Sequence, residues 1–467
     1  MLFSSIVFLY YFLPILMIVY FLSPKRFKNM ILLLASLFFY FYGEPKYVIL
    51  MVLSSFSGYC HGLWIDKAKG SRFSKLPLIS SIVITIGLLM FFKYTDFFIK
   101  NVNWIFKLDL SPLNLVLPIG ISFYSFQILS YTIDVYRGDA KVQRNFFDFT
   151  TYVTLFPQLI AGPIVRYTTV EEEMSHRNHS IGDMAYGINR FIIGLSKKII
   201  LANSLGELGN IFTKINEKTI LFYWIVALSF MLQIYFDFSG YSDMAIGLGR
   251  MFGFHFLENF DYPFLSKSIT EFWRRWHISL GTWFRDYVYI PMGGNRVSKG
   301  KWIRNVLVVW FLTGFWHGAE WNFIYWGLYF AILLVMEKYF IKGILERLPV
   351  FISHIYTIFF LLISFVLFNG DGLKGTMENL KGMFGFLNIP FNNHVTMYYL
   401  KSYGILIIIA MIGSTSLVKG FIEKIVGNKK GERLISILEP IFHIIMLLLN
   451  TAYLVDGSFN PFLYFRF

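Results

Sequence analysis

Residues Leu2–Leu22 have the sequence LFSSIVFLYYFLPILMIVYFL, a run of 21 residues without a charged side chain. As a helix this run is about 30 Å long, which matches the hydrocarbon core of a bilayer. No basic residue precedes the run and no small-x-small cleavage site follows it, so it does not resemble a secretory signal peptide. We therefore predict a membrane-spanning helix here.

Twelve further apolar runs follow in the chain of 467 residues. Some are too short to cross alone: Met30–Tyr42 has a helical rise of about 20 Å. We predict an all-α polytopic membrane protein, one domain over residues 1–467, with about eleven transmembrane helices plus interfacial or re-entrant helices. The other runs are Tyr47–Trp64, Leu76–Phe92, Leu113–Val135, Phe149–Val165, Tyr186–Leu201, Ile220–Phe236, Val306–Phe315, Phe323–Met336, Val350–Phe368, Tyr403–Val418 and Leu434–Leu454.

Composition supports the same conclusion, because 56% of the residues are hydrophobic and only 15% are charged. This balance excludes an ordinary water-soluble enzyme. The net charge of +14 does not indicate a nucleic-acid partner, since the basic residues lie in short loops between apolar runs. The positive-inside rule applied to these loops places the amino terminus outside the cytoplasm. The single cysteine, Cys60, excludes an intrachain disulfide.

The stretch Leu265–Trp302 carries too many charged residues and tryptophans to span lipid. A helical period of 3.6 separates its apolar from its polar side chains, so we expect one amphipathic helix in the interface or folded into the protein. His277 lies within it as a candidate site residue, with a structural role as the alternative. The tryptophans beside it are able to stack on a ring of a ligand, and the arginines are able to bind phosphates or lipid headgroups. These neighbours are Trp273, Arg274, Arg275 and Trp276.

A second candidate region is Gln233–Arg250, with the sequence QIYFDFSGYSDMAIGLGR. Charged groups at membrane depth require partners or a function. The first interpretation of Asp237 and Asp243 is architectural, namely that they hold a broken helix together through hydrogen bonds and arginine pairs. The alternative is contact with substrate or with a catalytic histidine.

The third region is TGFWHGAEWNFIYWG, residues Thr313–Gly327. Gly314 and Gly318 bracket His317 with a G-x-x-x-G spacing that opens one helix face to a neighbouring backbone or a ligand chain. A neutral imidazole there can take a proton from an attacking hydroxyl and return it to the leaving group. The alternative is a core histidine bonded to a carbonyl.

The chain ends with GSFNPFLYFRF, and residues 456–467 form an aromatic tail that contains Tyr464. Such a tail is typical of an aromatic belt at the headgroup level. A phenol on a short mobile tail is also able to enter a site and accept an acyl group.

Five long motifs, which occur in family order, closely resemble membrane-bound O-acyltransferases. The nearest branch acetylates bacterial cell-envelope polysaccharides such as alginate and peptidoglycan. The resemblance implies a helical fold around a central tunnel. The motifs cover Pro118–Gly138, Phe156–Tyr167, Tyr235–Gly249, Glu258–Arg296 and Phe315–Gly327.

The resemblance also implies roles for residues. It makes His317 the principal catalytic histidine and His277 the second one, and Asp237 and Asp243 match the acidic signature of the family. Tyr464 becomes a candidate acyl shuttle. The remaining candidates for tunnel or structural roles are Trp273, Arg274, Arg275, Trp276 and Trp316.

The reaction that the resemblance implies is acetyl transfer from acetyl-CoA, entering from the cytoplasmic side of a bacterial inner membrane. No metal and no permanently bound cofactor is expected. The expected partners are membrane lipid, the polysaccharide acceptor, and a secreted or membrane-anchored hydrolase-like acetyltransferase. Two alternatives stay open: D-alanyl transfer to teichoic acid, and a transporter or flippase in which His317, Asp237 and Asp243 relay protons.

Overall fold

A computed structural model describes residues 1–160 and 162–457, and every α-, 3₁₀- or π-helix boundary below refers to that part of the chain. The regular structure in it is entirely helical, which confirms the predicted fold class. The first eleven α-helices are α1 (Leu13–Leu22), α2 (Lys28–Gly43), α3 (Val48–Ala68), α4 (Leu76–Phe106), α5 (Ile121–Arg137), α6 (Phe146–Thr154), α7 (Phe156–Leu159), α8 (Tyr167–Ser175), α9 (Ile181–Ser196), α10 (Ser204–Lys214) and α11 (Ile220–Met251).

Ten more α-helices complete the described chain. They are α12 (Ile269–Arg275), α13 (Ile278–Phe284), α14 (Lys299–His317), α15 (Trp321–Met336), α16 (Lys342–Leu345), α17 (Val350–Asn369), α18 (Gly372–Met383), α19 (His394–Gly413), α20 (Leu417–Val426) and α21 (Lys429–Asp456). π-Helical segments cover Phe8–Phe12, Lys197–Asn203, Arg285–Tyr289 and Glu337–Ile341, and short 3₁₀ turns cover Lys25–Phe27 and Pro263–Leu265.

Six described helices are each long and apolar enough to cross a membrane, and the shorter apolar helix Phe8–Leu22 adds another candidate. The six are α3, α4, α11, α17, α19 and α21. They confirm a polytopic membrane protein, whereas the count of eleven spans stays a prediction that depends on shorter helices. The predicted run Val350–Phe368 corresponds closely to α17, and Met30–Tyr42 lies within α2.

The chain divides into two compact units, residues 1–191 with 242–257, and residues 192–241 with 258–467. In the first unit, a Cβ atom added at Gly247 would collide with the Gly187 carbonyl oxygen, so these glycines bring α9 and α11 into backbone contact. Arg190 forms an ion pair with Asp243 at 2.7 Å on the same pair of helices. Asp243 therefore joins α9 to α11.

In the second unit, Gly240 approaches the Gly194 carbonyl oxygen in the same manner. Asp237 pairs there with Lys198 at 2.6 Å, and both side chains are buried. Lys198 also donates to Asn203 Oδ1 at 2.9 Å. The Asp237 carboxylate thus balances the charge of the buried lysine, and the Asn203 side chain accepts a further hydrogen bond from it.

The helix that carries both aspartates is continuous. α11 extends from Ile220 to Met251 without interruption, so the expectation of a broken helix is wrong. Gly240 and Gly247 serve contact with α9, and no residue of α11 takes a positive φ.

The expectation of one amphipathic helix over Leu265–Trp302 is also wrong. The stretch folds as α12, a reversal at Trp276–His277, α13, the π-helical turn Arg285–Tyr289 and the start of α14. The predicted separation of faces is nevertheless present, because the apolar side is buried at Trp276, Leu280, Trp283 and Phe284.

The hairpin of α14 and α15 lies in the second unit and depends on small residues. A Cβ atom at Gly314 would collide with the Phe323 carbonyl oxygen, and one at Gly327 would collide with the Trp310 carbonyl oxygen. Gly314 therefore opens its helix to a neighbouring backbone, one of the two uses that the spacing allowed. This contact places the carboxyl end of α14 against the start of α15.

We expect Asp237→Leu to lower the free energy of unfolding by about 3 kcal/mol, because it leaves the Lys198 ammonium buried without its counter-charge. The double variant Lys198→Met/Asp237→Leu should recover most of that loss. Denaturant titration of the purified protein in micelles measures both.

The matched control is Asp261→Leu, which removes a carboxylate from an exposed ion pair with Arg275. Its cost should stay within about 1 kcal/mol. Equal costs for the two aspartates would contradict the expectation that the Lys198 ammonium is costly to bury without its counter-charge.

Candidate active site

His277 lies in the reversal between α12 and α13, and the residue is 2% exposed. Its backbone takes the left-handed conformation, with φ 46° and ψ 53°. A residue with a Cβ atom adopts this region only at a cost in free energy, so the surrounding contacts must hold it there.

Asn259 provides those contacts. Its backbone carbonyl accepts from Ile278 N at 3.0 Å, and its Oδ1 accepts from Ser279 N at 3.1 Å and Ser279 Oγ at 2.9 Å. His277 Nδ1 lies 3.2 Å from the same oxygen. The Ser279 N–H identifies this amide atom as the oxygen, so in this hydrogen bond Nδ1 carries the proton and Nε2 is the basic nitrogen.

The His277 ring is electrically neutral for a physical reason. Burial lowers the pKa of His277 well below its ordinary value, and the nearby His317 lowers it further. An uncharged imidazole accepts a hydrogen bond or a proton at Nε2.

The start of α12 is held by two side chains. Ser268 Oγ accepts from Glu271 N at 3.0 Å as the helix cap. The buried Glu337, which follows α15, accepts from Thr270 N at 2.9 Å and Thr270 Oγ1 at 2.7 Å. A carboxylate at the amino end of a helix is favoured by the helix dipole. Glu337 therefore links α12 to the α14–α15 hairpin.

His317 is the last residue of α14 and is 8% exposed. Its ring centroid lies 5.1 Å from that of Trp326 and 5.5 Å from that of Phe368. The Trp316 ring lies 5.0 Å from His317 and 6.1 Å from His277. The two histidines thus share one tryptophan neighbour.

A cavity of about 380 Å³, called here the histidine cavity, opens beside His277. Thr313 also lines it, and His317 follows Thr313 by four residues, so both residues share a face of α14. The complete lining is Trp273, Arg274, His277, Ile278, Leu280, Gly281, Thr282, Phe284, Arg285, Val309, Trp310 and Thr313.

Two arginines contribute charge to this cavity. Arg285 pairs with Asp286 at 2.6 Å. The exposed Arg274 makes no ion pair within residues 1–160 and 162–457. Its guanidinium is available for an anionic group, and guanidinium donors match phosphate geometry.

The four predicted neighbours of His277 have three different surroundings in the structure. Trp273 and Arg274 line the histidine cavity. Arg275 instead pairs with Glu271 at 3.0 Å and Asp261 at 3.2 Å. Trp276 packs into the core, where its ring lies 5.6 Å from that of Phe365.

The other predicted residues occupy separate places. Asp237 and Asp243 form the ion pairs described above, and their contact with a substrate stays a prediction. Tyr464 and residues 458–467 lie outside the described part of the chain.

Sequence reasoning assigned no role to Asn259, Glu337 or Thr313. Asn259 precedes His277 by 18 residues, and nothing local marks an asparagine as the support of a distant turn. The Ser268-x-x-Glu271 spacing is a capping signal that predicts the start of α12. Thr313 precedes His317 by four residues, a spacing that places both on one helix face.

The arrangement places the basic Nε2 nitrogen of His277 next to a cavity. A neutral imidazole in a site with limited water is suited to take a proton from a hydroxyl. The Arg274 guanidinium supplies positive charge at the same cavity for an anionic part of a substrate.

Comparison with known proteins identifies relatives over most of the chain. The chain is 40% identical to the probable alginate O-acetylase AlgI of Pseudomonas aeruginosa over 391 residues, which covers 83% of this chain and 75% of that protein. It is 35% identical to the peptidoglycan O-acetyltransferase of Helicobacter pylori over 421 residues, 82% of this chain and 80% of that protein.

A more distant similarity is 30% identity to the teichoic acid D-alanyltransferase of Bacillus subtilis over 279 residues, 56% of this chain and 70% of that protein. The family model of membrane-bound O-acyltransferases matches residues 139–377, and this range includes both histidines and the histidine cavity. The chain belongs to the membrane-bound O-acyltransferase family.

Proposed function

We propose that this membrane O-acetyltransferase takes an acetyl group from acetyl-CoA and passes it across the membrane for esterification of a cell-envelope polysaccharide. The observation that supports it most is the pairing of His277 and His317 around Trp316, next to a cavity that carries Arg274. The names of the alginate and peptidoglycan relatives support acetyl as the acyl group and an envelope polymer as the acceptor.

In the proposed reaction, an acceptor hydroxyl oxygen attacks the thioester carbonyl carbon while His317 takes the hydroxyl proton. The carbon–sulfur bond then breaks, and His317 returns the proton to the departing sulfur. The products are an acetyl ester and coenzyme A thiol. His277 Nε2, whose direction is fixed by the Nδ1 bond to Asn259, accepts a hydrogen bond from a second N–H or O–H group of the bound substrates and so orients them, because the one proton of the attacking hydroxyl goes to His317.

The donor needs positive charge outside the reacting centre, because coenzyme A carries several phosphates. Arg274 lines the histidine cavity and provides that charge. The apolar wall formed by Leu280, Phe284 and Val309 keeps water from the thioester.

The charge pattern supports the orientation of the amino terminus in the proposed cellular arrangement, and the family resemblance supports the rest. The chain resides in the bacterial inner membrane, in contact with lipid, with its amino terminus outside. Delivery to the polymer involves a secreted or membrane-anchored hydrolase-like acetyltransferase. Tyr464 is proposed as a first acceptor, whose phenyl ester is reactive enough to pass the acetyl group to the next hydroxyl.

We expect His317→Gln to lower the rate of acetyl transfer from radiolabelled acetyl-CoA by about 10²–10⁴-fold, because the general base is lost. His394→Gln is the matched control, since His394 is exposed at the start of α19. A folded His317→Gln protein that transfers acetyl at the normal rate would remove His317 from the mechanism.

Asn259→Asp should move the acidic limb of the kcat/KM profile to higher pH by about one unit. The new carboxylate next to Nδ1–H favours imidazolium and so raises the pKa of His277, which leaves Nε2 protonated over a wider range of pH. Stopped assays at a series of pH values measure the shift.

Asn259→Leu is the comparison variant, because it removes the oxygen without adding charge. Asn259→Leu should lower kcat at every pH, and it should leave the acidic limb of the kcat/KM profile at its original pH. Identical profiles for the Asp and Leu variants would contradict the positioning role of Asn259.

Incubation with acetyl-CoA should add one acetyl group to the peptide that contains Tyr464, which intact mass measurement after proteolysis detects. Tyr464→Phe should abolish both the added mass and polymer acetylation, since no phenol remains to accept the group. Full polymer acetylation by Tyr464→Phe would end the shuttle proposal and leave direct transfer in its place.

A further inference from the structure

The second unit contains another cavity, of about 440 Å³, which we call the amide cavity. Gln233 of α11 lines it and is only 7% exposed. Within the part of the chain that the structure describes, the Gln233 amide makes no hydrogen bond. The amide is not completely covered by protein atoms, so it faces space in which a polar ligand is able to pair with it.

Three further amides belong to the polar lining of this cavity. Asn210, Asn369 and Asn379 contribute three more side chains that both donate and accept hydrogen bonds. A hydroxyl group also does both, so a ligand with many hydroxyls is able to pair with each of them. The aromatic part of the wall is formed by Phe212, Tyr223 and Phe230.

The charges in the lining disfavour an anionic ligand. Lys218 is the one cation among the lining residues, and it lies over the Phe212 ring with 4.6 Å between Nζ and the ring centroid. Asp371 and Glu378 contribute two carboxylates. The sum is one negative charge, which repels carboxylates or phosphates on a ligand.

The amide cavity lies one aromatic layer away from the two histidines. Phe365 lines the cavity, and its ring also contacts Trp276, the residue before His277. Phe368 contacts His317 and precedes Asn369, which lines the cavity. A ligand in the amide cavity is therefore close to the residues to which we assign the chemistry.

We propose that the amide cavity binds a neutral, hydroxyl-rich glycan segment of the acceptor. The proposal rests on the proposed function, which makes a polysaccharide the final acceptor. It narrows the substrate class to glycan units without a carboxylate or phosphate in the bound segment. The cavity volume is in the range of small-molecule sites.

The test is equilibrium binding of cellotetraose, a neutral β-1,4-linked tetrasaccharide, to the full chain in lipid nanodiscs without an acetyl donor. Gln233→Leu should weaken binding by about tenfold, because one buried hydrogen bond is lost. Asn379→Leu, at the half-buried edge, should weaken it less.

The matched control is Asn216→Leu, the same polar-to-apolar change on an exposed amide outside the cavity, and it should leave affinity unchanged. β-1,4-linked tetramannuronate, the acidic counterpart of the probe, should bind at least tenfold more weakly than cellotetraose. Equal binding of the two probes, equal binding by Gln233→Leu, or preferential binding of a hydroxyl-bearing peptide overturns the proposal.

The binding test is separate from the acetyl-transfer assays. A chain that binds cellotetraose but consumes no acetyl-CoA supports this site and contradicts the proposed function. A chain that consumes acetyl-CoA but binds no cellotetraose contradicts this site and leaves the proposed function standing.

Discussion

One oxygen atom, Oδ1 of Asn259, determines the direction of the His277 ring. It accepts from Ser279 through both the backbone and the hydroxyl, and it lies next to His277 Nδ1. Asn259 is completely buried, so water does not compete for these bonds and each is stronger than it would be at a surface. The left-handed backbone of His277 is tolerated because this network opposes its relaxation.

The position of His317 depends on a different constraint, namely that Gly314 and Gly327 have no side chains where α14 meets α15. At Gly314 and Gly327 the backbones of α14 and α15 touch, and the large rings beyond them then meet at close range. Trp326 reaches His317 only because the two helices approach so closely. The contact between Gly314 and Gly327 thus sets the position of His317, whereas the Asn259 amide sets the orientation of His277.

The sequence was sufficient to predict the fold class, because apolar runs such as Val350–Phe368 recur in the structure as helices with nearly the same ends. Of the candidate site residues that the sequence offered, His277, Trp273 and Arg274 line one cavity, and their roles in a reaction stay predictions. The sequence did not predict the break at His277, since a non-glycine residue in the left-handed region leaves no local signal. Lys198 was missed as the partner of Asp237 because the two residues come together only in the folded chain.

Aromatic rings pack closely beside the amide cavity. Phe365 lines the amide cavity, and its ring lies 5.6 Å from that of Trp276, the residue before His277. A continuous wet path through an enzyme of this kind would let ions leak down the electrochemical gradient of the cell. Closely packed rings have no groups that replace the hydration of an ion, so contacts of this kind oppose the passage of ions.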